Sequence, residues 1–209
     1  EGISSAYAVG RMAEKTNVEL VVYVEDAMAR QMVLSSLDSE RRRRTLIIEV
    51  GSHSAVISQA AAKFVDRSHD QCEAAFFLDG DQRAALATHK GRFLGLVDQR
   101  KKEDASKWFD DRVGFLPSDQ MPERFVVSIL REKHVPRFCE VFGLENDLEA
   151  AEMLDKALVR GDHSEIFWLS EDLILPREQV WQQMCAVLAQ EDSALLDNVR
   201  SHIDRLLFG

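Results

Sequence analysis

The stretch that most constrains this chain is Glu73 to Arg83, EAAFFLDGDQR. Ala74 to Leu78 are uncharged and run straight into Asp79-Gly80-Asp81. A short apolar run bounded by turn chemistry reads as a strand buried on both faces. The two acids then stand at its carboxyl end, the edge of an open α/β sheet where ligands bind. Gly80 lets the backbone turn so that both carboxylates face one point. Converging carboxylates repel, and a hard cation is their natural neutraliser. Mg²⁺ takes oxygen ligands and keeps several waters, so a few carboxylates suffice. A bare D-G-D is also what an ordinary acidic turn looks like, so its meaning depends on the rest of the chain.

The rest of the chain supplies a context. Val18 to Val24, VELVVYV, is rich in β-branched and aromatic residues and reads as a first buried strand, ending on Glu25-Asp26. Ala27 to Leu37 follow as a helix. Thr45 to Val50, TLIIEV, is a second strand closed by Gly51-Ser52, and 53–66 is Ala-rich and helical. The opening stretch is the third strand. A charge-dense segment, 82–112, holds a helix near 105–111. Val113 to Leu116 is a short fourth strand, stopped by Pro117. Pro122 opens the next helix, where its missing N–H costs nothing. Strand and helix thus alternate four times, which implies a parallel sheet with helices on both faces. From Val135 onward the pattern is helical only: 147–160 closed by Gly161, then 164–172, 177–190 and 193–207. Ser4 to Lys15 also looks helical. The expected division is therefore a leading helix or linker over 1–17, an α/β core over 18–134 and a helical subdomain over 135–209.

Charge and cysteine content exclude some classes. The net charge of −10 argues against a protein that coats nucleic acid with a basic surface. It leaves room for an enzyme that grips phosphate locally and through metal. Cys72, Cys139 and Cys185 are widely spaced with no C-x-x-C, so neither a zinc ribbon nor a disulfide framework is expected. A reducing, cytoplasmic setting is the natural reading. No stretch is long and apolar enough to span a bilayer, so no membrane partner is expected. The chain begins Glu1-Gly2-Ile3 without a Met, which suggests a piece of a longer protein.

Four acids now fall at matching places: Glu25 after strand one, Asp79 and Asp81 after strand three, and Glu123 at the start of the helix after strand four. In a parallel sheet all of them reach one edge. This ordered set resembles the TOPRIM domain, the metal-dependent module of topoisomerases, primases and several nucleases. The pattern is a glutamate in YVED, a glycine in EVGS and the paired acids in LDGD. Over 18–133 the chain looks most like the nuclease domain of the overcoming-lysogenization-defect (OLD) group. That group adds a glutamate after the fourth strand, matched by Glu123 in LPSDQMPE, and a helical C-terminal extension, matched by 135–209.

The resemblance implies a Rossmann-like TOPRIM fold and a DNA endonuclease or nickase acting in phage defence or DNA processing. Glu25, Asp79, Asp81 and Glu123 would be its catalytic and metal-binding acids. It also implies one or two Mg²⁺ ions, with Mn²⁺ or Ca²⁺ as substitutes. Partners would be DNA and an ABC-type ATPase domain, with a homodimer conceivable from the helical tail. Two positions depart from the pattern. Asp26 stands where the family has glycine, and Ala29 stands where the OLD group has a second acid. Asp26 is therefore a further candidate ligand. The group's catalytic lysine has no obvious match; Lys156 is the candidate.

Other residues carry two readings each. Arg41, Arg42, Arg43 and Arg44, with Arg83, are candidates for gripping DNA phosphates, since guanidinium suits bidentate phosphate contact; such a block is also commonly a solvated connection. His53, at a predicted helix start, could face the site or simply cap the surface. His163 could be a cap, a core contact or catalytic. Trp108, Trp168 and Trp181 read as packing residues. The competing function is a regulatory or assembly module with a degenerate site. A phosphotransfer domain fits less well, because its D-x-D would follow the first strand. Tyr7 and Tyr23 are poorly placed for a topoisomerase nucleophile. No G-x-x-x-x-G-K-[ST] loop occurs, so the chain should need no ATP of its own.

Overall fold

The structure is a computed structural model that describes residues 18–66, 72–160 and 164–209. The expected helix over 4–15, the boundary at residue 17 and His163 lie outside the described residues. Four parallel strands form the sheet: β1 (Leu20–Val24), β2 (Thr45–Glu49), β3 (Glu73–Leu78) and β4 (Val113–Phe115). Their order is β2-β1-β3-β4. Each strand lies within the run expected from the sequence, trimmed at its ends, except that β3 begins one residue earlier, at Glu73. The central pair is the most apolar, and every residue of β1 is buried, as expected for strands covered on both faces.

Strand alternation divides the core in two. Leu20, Val22, Val24, Ala75 and Phe77 face one layer, while Val21, Tyr23, Ala74, Phe76 and Leu78 face the other. The second layer is built by α3 (His53–Asp66), α4 (Leu86–Gly95) and α5 (Lys102–Arg112). Phe64, Phe76, Phe93 and Trp108 make an aromatic cluster there, with Phe93 and Trp108 stacked at 6.0 Å. The first layer is built by α1 (Ala27–Ser36), α6 (Pro122–Lys133) and the C-terminal helices. Those helices are α7 (Val135–Phe142), α8 (Asp147–Arg160), α9 (Glu165–Leu173), α10 (Arg177–Glu191) and α11 (Asp197–Phe208).

The helical tail is not set apart from the sheet. One continuous core runs from Leu20 through Ala157 to Ile203 and crosses residue 134 without a break. α11 packs on β3, β4 and α1, while α10 packs on α1 and α6. Trp181 of α10 is buried, and its indole N–H donates to the Met28 carbonyl at 3.0 Å. The tail thus completes the cover of one sheet face. Truncating a side chain such as Trp181 to alanine removes roughly 3–5 kcal/mol.

Three helices lie outside the helical runs expected from the sequence, α7 among them. α2 (Ser39–Arg44) has no buried residue, so it shows no apolar period; it starts because the Asp38 carboxylate caps the Arg41 N–H at 2.9 Å. α4 buries only His89 and Phe93, one turn apart, a stripe too thin to read. The segment expected as one helix over 193–207 begins instead as a 3₁₀ turn, Ser193–Leu196, before α11. Among the described residues no helix is long and apolar enough to cross a membrane.

Candidate metal centre at the carboxyl edge of the sheet

The strand order creates the site. From β1 the chain moves outward to β2; it then crosses over β1 to β3 on the opposite side. α1 and α3 consequently lie on opposite faces, and the sheet opens a crevice between the carboxyl ends of β1 and β3. Glu25 and Asp79 leave these two neighbouring strands side by side. Backbone bonds hold the edge: Gly51 N–H donates to the Glu25 carbonyl at 2.7 Å, and Leu116 N–H donates to the Leu78 carbonyl at 2.9 Å.

Asp79 is the centre of the constellation. One of its carboxylate oxygens, Oδ1, is buried without a hydrogen-bond partner. Its pKa is pushed up to about 8, first by burial and then by the charges of Asp26, Glu25, Glu123 and Asp81. All five sequence-predicted acids therefore act on one place. Glu25 is also raised, mainly by burial, with Asp26 and Asp81 adding to it and His53 opposing. The backbone N–H of His53, the first residue of α3, faces the Glu25 carboxylate and favours its charged form. Glu123 enters from the first turn of α6, just after Pro122.

Asp26 has a second task. Its Oδ1 accepts the Ala29 N–H at 2.9 Å and caps α1. The capped residue, Ala29, is fully buried in the core. A carboxylate at position 29 would therefore be desolvated, while Asp26 contributes its charge to the site from the cap.

Gly80 does not work as expected. It adopts no positive φ; its role is close approach. A β-carbon there would stand 2.4 Å from the Ser118 carbonyl oxygen and 2.9 Å from those of Pro117 and Gln120. Ser118 itself has φ +73, an unusual conformation for a residue with a side chain. Gly51, by contrast, has φ +92 with open space around it. That turn needs glycine for conformation.

The arginines do not gather at the acids. Arg41 to Arg44 immediately precede β2 and so lie at the amino edge, the far end of the strands. Arg41 forms a bidentate pair with Asp204 through bonds of 2.5 and 2.8 Å and also pairs with Asp38. Arg44 forks onto Glu19 at 2.8 and 2.7 Å, and its guanidinium lies 4.5 Å from the Phe208 ring centroid. Arg42 donates to the Leu34 carbonyl. The block therefore lies at the edge of the sheet opposite the acids. Arg83 is at the right edge but binds its own chain. It pairs with Asp119 at 2.8 Å and donates to the Leu116 and Ser118 carbonyls. Lys156 is exposed on α8, which packs against α6.

Sequence reasoning left His53 ambiguous and passed over His89 and Arg92. The His53 and His89 rings stand 5.5 Å apart beside Glu25's anchoring helix. His89 sits in the unread helix α4, so no motif could have flagged it.

The donor set is all oxygen, with an orphaned buried carboxylate among like charges, and that chemistry fits a hard divalent cation. Among the described residues, no three His, Cys, Asp or Glu side chains are drawn in to coordination distance as placed.

No protein-family model and no curated protein matches the chain. Two solved structures share its fold. The C-terminal region of the Xanthomonas campestris pv. campestris OLD protein superposes with a TM-score of 0.51 and 15% identity, covering 90% of this chain and 92% of that one. The C-terminal region of the Burkholderia pseudomallei OLD protein gives 0.50 and 13%, covering 90% and 96%.

Proposed function

We propose that this chain, whose fold is that of the C-terminal region of OLD proteins, is a Mg²⁺-dependent nuclease domain that hydrolyses phosphodiester bonds in DNA. The observation that carries the reading is Asp79: a half-buried carboxylate with one buried, unpartnered oxygen among four other acids, at the switch point of a parallel sheet. A turn that served only the fold would have no reason to keep such a group, whose burial costs free energy until it is neutralised.

Asp79 and Asp81, with Glu25, Asp26 and Glu123, would hold one or two divalent cations. A cation there supplies Lewis-acid neutralisation of the charge that develops on the phosphate. The chain's own residues do the rest. Asp26 keeps its second oxygen for the site because the cap uses only one. Glu25 lies beside the His53 N–H and would either hold a cation or, in its place, take a proton from the attacking water. The water oxygen bonds to phosphorus, one ester bond breaks, and the departing oxygen takes up a proton. An ABC-type ATPase domain as companion, and a role in phage defence or DNA processing, extend the proposal through the same resemblance.

The competing reading is an interaction or regulatory module. It draws on the open spacing of the acids and on Ala29; the orphaned Asp79 oxygen speaks against it. Incubation of supercoiled plasmid with the chain in Mg²⁺, Mn²⁺ and EDTA separates the two. Nicked or linear product is expected with either metal and none with EDTA. Intact plasmid under every condition would overturn the nuclease reading.

A further inference from the structure

An acidic chain that handles DNA needs cationic groups close to its acids, and the arginine block is at the wrong edge. The carboxyl edge holds another set. α3 begins at His53, directly beside Glu25, with no acid in its first turn. Its 14 residues give it a positive end of full strength. The Ser52 hydroxyl already satisfies the Ala55 N–H at 3.1 Å. Arg92 reaches this end from α4, and its Nη1 donates to the Ser54 hydroxyl at 2.5 Å. That hydroxyl is its polar partner among the described residues; no carboxylate neutralises it there. Arg41, Arg44, Arg112, Arg131 and Arg200 each pair with an acid.

A second observation points the same way. His89, one turn before Arg92, is 5% exposed, and its Nε2 is buried with no hydrogen-bond partner. Its ring stands 5.5 Å from that of His53. Burial first, then the neighbouring His53 and Arg92, lower its pKa, so its ring is held neutral beside them. Gly51, just ahead, leaves open space where a side chain would stand.

We infer that the amino end of α3, with His53, Ser54 and Arg92 and with His89 behind them, is a subsite for a phosphate of the DNA backbone beside the bond that is cut. This rests on the nuclease reading. The acids would take the scissile phosphate through cations, and this end of α3 would take a flanking phosphate by direct N–H and guanidinium donation. The juxtaposition fixes the strand's path: across the β1–β2 side of the carboxyl edge, away from the C-terminal helices.

The test is duplex DNA binding as a function of salt, with Ca²⁺ as the binding cation, for the parent chain, Arg92→Gln, Arg92→Lys and Arg43→Gln. Metal binding is measured separately by titration of Mn²⁺. Arg92 is exposed, so its variants should melt with the parent. Arg92→Gln should weaken DNA binding roughly tenfold and lower the slope of log affinity against log salt by roughly 0.9, the loss of one phosphate contact. Arg92→Lys should keep the slope, because it keeps the charge, while losing part of the affinity. Arg43→Gln, at the opposite edge, should change neither, and Mn²⁺ binding should be equal in all four. An Arg92→Gln chain that binds DNA like the parent, with Mn²⁺ binding intact, overturns the subsite and leaves the nuclease reading standing. A slope that falls for Arg43→Gln instead overturns it too, since the strand then runs along the other edge. A parent chain with no metal-supported DNA binding overturns both.

Discussion

Gly80 lies so close to Ser118 that a β-carbon on the glycine would stand 2.4 Å from the serine's carbonyl oxygen. The obstacle is backbone, ringed further by the carbonyls of Pro117 and Gln120, and it cannot swing aside as a side chain would. The turn carrying Asp79 and Asp81 is thereby pressed against the loop leading to Glu123. Gly80→Ala must push the two apart. Overpacking commonly costs about 1–3 kcal/mol, and against backbone the upper end applies. The variant is expected to lose about 3 kcal/mol in denaturant unfolding. It should also lose metal-dependent cleavage more steeply than stability, because both halves of the acid cluster move. Cleavage equal to the parent's would mean that this close approach does not position the acids.

Removing an acid should separate chemistry from folding. Asp79→Ala is expected to lower cleavage on the order of 10²-fold or more, by analogy with deleting one preorganised electrostatic group. Metal-free melting should stay level or rise, because a half-buried carboxylate with one buried, unpartnered oxygen among like charges is removed. Glu25→Ala should show the same split. Unaltered activity in either variant would remove the assignment. A collapsed melting temperature would make these acids structural.

His202 on α11 links stability to pH. Its Nε2 stands 3.2 Å from the Arg112 carbonyl oxygen, so it carries the hydrogen, and Nδ1 accepts from Arg205 at 3.3 Å. Protonation would break the second bond and set a cation against Arg205. Burial, then Arg205, lower the pKa to about 4 from 6.5. A depressed histidine contributes its stability in full above the unfolded value and loses it as pH falls through the folded one. The loss therefore runs between pH 6.5 and about 4, and amounts to at most about 3 kcal/mol. His202→Gln, which keeps a donor without the titration, should flatten that part of the parent's stability curve. Parallel curves for the two chains would remove His202 as the cause.

The arginine block should matter for folding instead of DNA. Arg41 ties α2 to α11 through Asp204, and Arg44 ties β2's start to Glu19 and Phe208. Replacing both by alanine should lower the melting temperature, more at low salt than at high, because the pairs are solvent-screened. The salt slope of DNA binding should stay unchanged. A shallower slope would return the block to the DNA path.

What the amino-acid sequence determined by itself is the local record. Four apolar runs with turn chemistry after them define parallel strands, and placing Glu25, Asp79 and Glu123 after strands one, three and four places them at one edge, whatever the packing details. The period-2 and 3.6 patterns carry that information residue by residue. The tertiary structure alone decided the rest. The strand order put β1 beside β3, so that Glu25 and Asp79 meet at a switch point. Gly80's need is spatial, set by carbonyls about 40 residues away, and no local φ preference reveals it. Asp26 was legible as an acid, but its double duty as cap and site charge depends on how α1 leaves the strand. That Arg41 and Arg44 pair with Asp204 and Glu19, far from them in sequence, is likewise set by packing. His89 faces His53 only because α4 crosses α3. Contacts between elements distant in sequence are set by the packing of whole faces, and no window along the chain contains them.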